Sequence, residues 1–133
     1  MKKCLLLLFV IFSLSAYSQI SKSRATQYTY KSRTKSGWSS WSDWKNCNVL
    51  IVTDLDKMKF KIYSENIQEF DIIKFLEKKI NKEGGETYEM FCVDKDGKQC
   101  RIRQKFLSEY NSDGFQLYVD YSNISYVYNA YFQ

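Results

Sequence analysis

Three tryptophans recur at intervals of three in Trp38-Ser39-Ser40-Trp41-Ser42-Asp43-Trp44. That spacing aligns side chains along one side of a polyproline-II-like segment and scatters them on a regular strand. Indoles presented together can stack on a sugar, a base or a cation; the alternative is that they close one end of a core. Tyr126 and Tyr128 stand two apart and are the tyrosines expected to extend such an aromatic surface. A second constellation is Arg101, Arg103 and Lys105, whose period of two makes a short basic ridge on one face of a strand. It reads either as a solvated outer face or as a phosphate or carboxylate site in which arginine supplies bidentate geometry.

Cys92 and Cys100 flank the clearest turn in the chain. If Lys95-Asp96-Gly97 is a three-residue loop with a left-handed glycine, Asp94 opposes Lys98, Val93 opposes Gln99 and Cys92 opposes Cys100. Directly opposed cysteines are either a disulfide or two reduced core thiols. Histidine is absent from the 133 residues, which removes the commonest general base, Ser-His and Cys-His nucleophiles and His-ligated metals. No Cys-x-x-C occurs, and carboxylate pairs such as Asp54 and Asp56 sit in turn-like sequence. No catalytic residue, metal site, cofactor or specific nucleic-acid interface is therefore expected. A small enzyme working through carboxylate or tyrosine acid-base groups is a third-ranked alternative.

The elements that must position these residues begin after a leader. Met1-Lys2-Lys3 is a positive start, residues 4–14 are an apolar run, and Ala16-Tyr17-Ser18 places small residues at a cleavage site, so residues 1–18 read as a secretory signal peptide. The run is too short for a membrane span, and Cys4 precedes rather than follows it, which disfavours a lipid anchor. The expected location is secreted or periplasmic, and loss of Lys2 and Lys3 lowers the net charge of +5 by two units. Residues 19–37, rich in Ser, Thr, Lys and Arg, read as a flexible basic arm, leaving residues 38–133 as a single β domain.

Within that domain, Val49-Leu50-Ile51-Val52 and Phe60-Lys61-Ile62-Tyr63 form one hairpin about Asp54-Leu55-Asp56-Lys57. Residues 88–93 and 99–106 form another, and residues 115–121 lead through Ser122-Asn123 into 124–131, where the apolar alternation passes from odd to even numbers. A turn is also expected at Asn111-Ser112-Asp113-Gly114. Ile72, Phe75, Leu76, Lys79 and Ile80 share a helical face that Gly84 could cap, but hairpin-length connections on either side favour a strand over residues 67–75 and a charged loop through Gly85. The expectation is an all-β, about seven-stranded antiparallel meander, curved into a sheet or small open barrel. Residues 115–132, β-prone with Asp120 as their one charge, are the edge expected to pair in a homodimer.

Between Trp38 and Tyr128, the Trp-Ser-x-Trp start, the Val-Leu-Ile-Val strand, Lys-Ile-Tyr-Ser, Phe-Asp-Ile-Ile, Cys-Val-Asp-Lys-Asp-Gly-Lys-x-Cys, Gln-Leu-Tyr-Val-Asp-Tyr and Val-Tyr-Asn resemble a group of uncharacterised small secreted bacterial proteins. The resemblance implies a compact exported β domain and brings no activity with it. Residues 38–44 also resemble the tryptophan repeat of thrombospondin type 1 domains, without that family's further cysteines or arginine spacing. The leading expectation is an exported, non-catalytic module binding a glycan, small ligand or protein at an aromatic surface. The alternative is an envelope-associated protein whose basic arm and ridge adhere to anionic polymer.

Overall fold

A computed structural model describes residues 20–80, 82, 85–106 and 114–133. The expected signal peptide, the Gly84 cap and residues 111–113 of the Asn-Ser-Asp-Gly turn lie outside the described residues. The strands are β1 (Ile20–Thr34), β2 (Gly37–Trp38), β3 (Lys45–Asp54), β4 (Lys59–Tyr63), β5 (Gln68–Phe75), β6 (Lys79–Ile80), β7 (Glu86–Asp94), β8 (Gln99–Phe106), β9 (Gly114–Asp120) and β10 (Ile124–Phe132). Eight of them form a closed antiparallel barrel in the order β1-β3-β4-β5-β7-β8-β9-β10, with β10 hydrogen-bonded back to β1. The two-residue strands β2 and β6 are appended to β1 and β7.

Local turn chemistry accounts for the meander. Gly97 adopts φ +83° in the β7–β8 loop, and the Asp94 N–H donates to the Lys98 carbonyl at 2.8 Å. Register follows as the loop dictates, with Val93 opposite Gln99 and Cys92 opposite Cys100. At the β9–β10 turn the Tyr121 N–H donates to the Ile124 carbonyl at 2.9 Å, which closes a two-residue loop on Ser122-Asn123. Residues 68–75 are a strand, as expected over the helical alternative. Lys79 and Ile80 continue the same pairing along β7 after an irregular stretch.

Alternating positions send Ile51, Phe60, Ile62, Phe70, Ile72, Ile102, Leu117 and Val119 into one core, all at 5% exposure or less. An eight-stranded barrel has an interior just wide enough for such side chains to fill. β9 shows the plainest pattern, its odd residues buried and its even ones half-buried.

Two expectations are corrected. Residues 19–37 are not a flexible arm, because Ile20–Thr34 is the strand that lies between β3 and β10 and closes the barrel. Its inward positions begin with the small Ser23 and Ala25, and a register shift between Ala25 and Gln27 against both neighbours then turns Tyr28 inward. Small inward residues and a change of parity hide the strand from any search for apolar period two. The second correction concerns the homodimer edge: β9 pairs with β8 and β10, and β10 with β9 and β1, so residues 115–132 offer no long free edge. Closure has used the backbone groups that a partner strand would need.

Ala25 is fully buried at the point where β1 shifts register. Replacing it with phenylalanine should lower unfolding stability by about 1–3 kcal/mol through overpacking, read as a lower urea midpoint. An unchanged midpoint would mean that residue 25 lies outside the folded core.

Candidate ligand-binding site at the barrel mouth

The connections 35–44, 64–67, 95–97 and 121–123 all lie at one end of the barrel, because each leads from an upward strand into the next downward one. The interior changes character toward that end. At the opposite end Phe106, Phe115 and Phe132 form an aromatic plug with centroid separations of 4.8 to 6.0 Å. At the turn end the inward positions are tyrosines: Tyr28 opposes Tyr128, Tyr126 packs beside them and Tyr121 closes β9, while Tyr30, opposite Tyr126, is exposed. A strand face carrying phenol rings buries apolar area while leaving hydroxyls to be satisfied, which suits a boundary between core and water.

A cavity of about 450 Å³ opens there, lined by Ser64, Glu65, Asn66, Gln68, Asp94, Lys98, Tyr121, Asn123, Ile124 and Tyr126. Its polar groups are held in place by one another. The Gln68 amide donates to Ser64 Oγ at 3.1 Å and to the Tyr128 hydroxyl at 3.3 Å. The Tyr121 hydroxyl donates to Asp94 Oδ2 at 2.9 Å, while Asp94 Oδ1 accepts the N–H groups of Asp96 and Lys98 at 3.0 and 2.8 Å.

These contacts set the protonation states. Desolvation pushes the Asp94 carboxyl up, but the backbone N–H of Lys98, the Tyr121 hydroxyl and the Asp96 N–H together outweigh it and hold Asp94 below its ordinary value. Burial pushes the phenols of Tyr121, Tyr126 and Tyr128 up, reinforced at Tyr121 by its hydrogen bond to Asp94. At neutral pH the mouth therefore presents an ionised carboxylate and protonated phenols.

The aromatic surface expected from sequence divides in two. Tyr126 lines the cavity and Tyr128 lies beneath it at 5% exposure, both facing the barrel axis. Trp38, Trp41 and Trp44 belong instead to the connection between β1 and β3, which folds back along β1 through Ser39 N–H to the Ser32 carbonyl and Ser42 N–H to the Tyr30 carbonyl, both 2.8 Å. Trp38 pairs with Arg33 across the β1–β2 turn, and the Lys31 ammonium lies 5.1 Å from the Trp38 ring and 4.6 Å from the Trp41 ring. The period of three thus does bring two of the three rings to a common partner. Lys31 opposes Ser125, whereas Tyr30 opposes Tyr126, so the tryptophan cluster and the tyrosine mouth occupy opposite faces of β1.

On the outer wall, the basic ridge has largely found acidic partners. Arg103 Nε lies 2.6 Å from Asp120 Oδ2 and its guanidinium stacks 4.3 Å from the Tyr118 ring. Arg101 and Lys79 converge on Glu89, a buried carboxylate, at 3.7 and 3.3 Å. Lys105 forms no ion pair among the described residues. An incoming phosphate would have to displace carboxylates from both arginines, which is a poor design for an anion site.

Cys92 and Cys100 are opposed in register yet remain free thiols, so the disulfide that the spacing allows is not formed. The Asp94–Lys98 pair is hydrogen-bonded, and the two-residue alternation makes Cys92–Cys100 a hydrogen-bonded pair as well, the wider kind in which side chains stand farther apart. Both thiols are buried, and that burial pushes each up to about 12. They act as small apolar core residues.

Gln68, Asp94 and Tyr121 were not singled out by sequence as binding residues. Tyr121 was within reach, because it continues the odd-numbered inward series Phe115, Leu117, Val119 to the strand's end. Gln68 gave no signal, since a lone amide before an apolar run reads as surface. No family model, curated protein or solved structure matches the chain.

Asp94 supplies the pH test. A carboxylate held below its ordinary value adds stability that is complete above the unfolded value of about 4 and is lost as pH falls through the lowered folded value. Thermal unfolding of the Asp94→Asn variant should therefore depend less on pH than that of the parent between about pH 5 and 2. Identical pH profiles would show that the Tyr121 and backbone hydrogen bonds do not stabilise the ionised form.

Proposed function

We propose that this protein is an exported, non-catalytic binding module that takes a small, neutral, hydroxyl-rich ligand, of the kind a mono- or disaccharide presents, in the mouth of its barrel. The observation that carries the reading is the tyrosine-lined cavity of about 450 Å³, a size within the range of small-molecule sites. Sugar hydroxyls both donate and accept, and the mouth offers both: the amides of Gln68, Asn66 and Asn123, the Ser64 hydroxyl, the Lys98 ammonium and the Asp94 carboxylate. The faces of Tyr121 and Tyr126 suit the apolar side of a pyranose ring. Lys98 balances one of the two carboxylates, which favours a neutral occupant over an anion.

A binding role agrees with the state of the titratable groups. Asp94 is engaged by three donors, and phenols raised by burial hold their protons, so these groups are disposed to accept and donate hydrogen bonds to a ligand. Cleavage before Gln19 would leave all the described strands in the mature chain.

Titration of the protein with glucose, galactose, N-acetylglucosamine and their β-linked dimers, followed by backbone amide shifts, tests the proposal. At least one sugar should bind saturably and move the amides of Gln68, Asp94, Tyr121 and Tyr126. Gln68→Ala and Tyr126→Ala should each weaken it by about tenfold, the loss expected for one hydrogen bond and one stacking contact. No saturable binding across the panel, or binding that both variants leave intact, would overturn it.

A further inference from the structure

We infer that the β1–β3 hairpin is a docking surface for an anionic lipid membrane, separate from the mouth and independent of what the mouth binds. The argument starts from charge that the fold leaves unspent. Around the barrel wall, Lys59, Lys61, Lys78, Lys79, Arg101 and Arg103 each lie within 4 Å of a carboxylate. On the hairpin, Lys31, Arg33 and Lys35 have no ion pair among the described residues, and the only acid between positions 31 and 44 is Asp43. The hairpin thus holds three such cations within five positions, whereas Lys22, Lys74 and Lys105, likewise without an ion pair among the described residues, are spread over separate strands.

The same sector bares its indoles. Trp38, Trp41 and Trp44 are 44%, 42% and 45% exposed, large apolar side chains that the barrel had no need to leave in water. Trp38 is also placed for contact: the β1–β2 turn runs past the last tie to β10's turn, the Arg33 N–H on the Asn123 carbonyl at 2.8 Å, while Trp41 and Trp44 lie on the returning chain beside Tyr30 and Tyr28. Indole rings prefer the interface between headgroups and hydrocarbon, where lysine and arginine also meet lipid phosphates. Lys31, held 5.1 and 4.6 Å from the Trp38 and Trp41 ring centres, would carry its ammonium to the headgroup level as those rings enter.

An acidic polysaccharide has complementary charge too, but it would recognise tryptophan by stacking on an open ring face. One face each of Trp38 and Trp41 is already covered by the Lys31 ammonium. The exposed rings thus stand beside cations that have no ion pair among the described residues, a combination that suits insertion among anionic lipids.

The chain from Gln19 onward, which carries every described strand, should be mixed with vesicles of phosphatidylglycerol and phosphatidylcholine at three to one, and with pure phosphatidylcholine vesicles. The expected result is co-sedimentation with the anionic vesicles, a blue shift of indole emission, and binding weakened about tenfold or more when salt rises from low to physiological or above. Combined Trp38→Ala, Trp41→Ala and Trp44→Ala replacement should abolish the association. A second variant, Lys31→Gln with Arg33→Gln and Lys35→Gln, should weaken it about tenfold or more while sparing the tryptophans. Circular dichroism and unfolding midpoints identify a variant that has merely lost its fold, and sugar binding at the mouth should be unchanged in both. Equal binding to neutral vesicles, no binding to anionic ones, or retention by heparin through these residues without any vesicle binding would each overturn the inference.

Discussion

The pairing of β1 with β10 is the constraint on which the rest of the molecule depends. Without it the meander is a curved open sheet with two bare edges, each a row of unpaired backbone donors and acceptors. With it, Ser23 through Ser32 meet Ile124 through Phe132, and every barrel strand has a neighbour on both sides. Each backbone hydrogen bond contributes only about 1 kcal/mol net, but leaving a buried one unmade costs about 1–3 kcal/mol. Closure therefore matters more through the groups it prevents from being buried unpaired than through the bonds it adds.

Closure also divides the interior by depth. Once β1 is in place, its inward side chains run from the small Ser23 and Ala25, beside Phe132 and Ala130, to Tyr28, beside Tyr128. The narrow residues admit the phenylalanine plug, and the tyrosines meet the turn end, where the chain can satisfy hydroxyls through Gln68 and Asp94. The long β1–β3 hairpin follows from the same strand, since β1 runs beyond its pairing with β3 at Tyr28–Lys45 and must return along itself. Mouth and tryptophan hairpin are thus opposite faces of one strand's excess length.

What was legible in the sequence was what local chemistry decides. Gly97 and Asp94 define the β7–β8 register to the residue, and Ser122-Asn123 explains why apolar parity changes between β9 and β10. The strand over residues 68–75 followed from the lengths of its neighbouring connections, not from its own ambiguous pattern. β1 was not legible, because its inward residues are small where the barrel is fullest and a bulge breaks its alternation. Nor does any local pattern announce that two strands about a hundred residues apart will meet, which is why an open edge and a dimer were expected. For the same reason the cavity could not be read from sequence: Gln68, Asp94 and Tyr121 line it together with Tyr126 only once the sheet has curved round. The period of three foreshadows the common partner of Trp38 and Trp41, while the face they occupy depends on the parity that the bulge resets.

Hydrogen exchange along β1 tests this account most directly. Amides of residues 27–32 should exchange on the order of a thousandfold more slowly than those of an unstructured chain, as slowly as the amides of β8 and β9 with which they share one barrel. Exchange of β1 within seconds, with β8 and β9 still protected, would mean that the strand is an arm after all and that the barrel does not close.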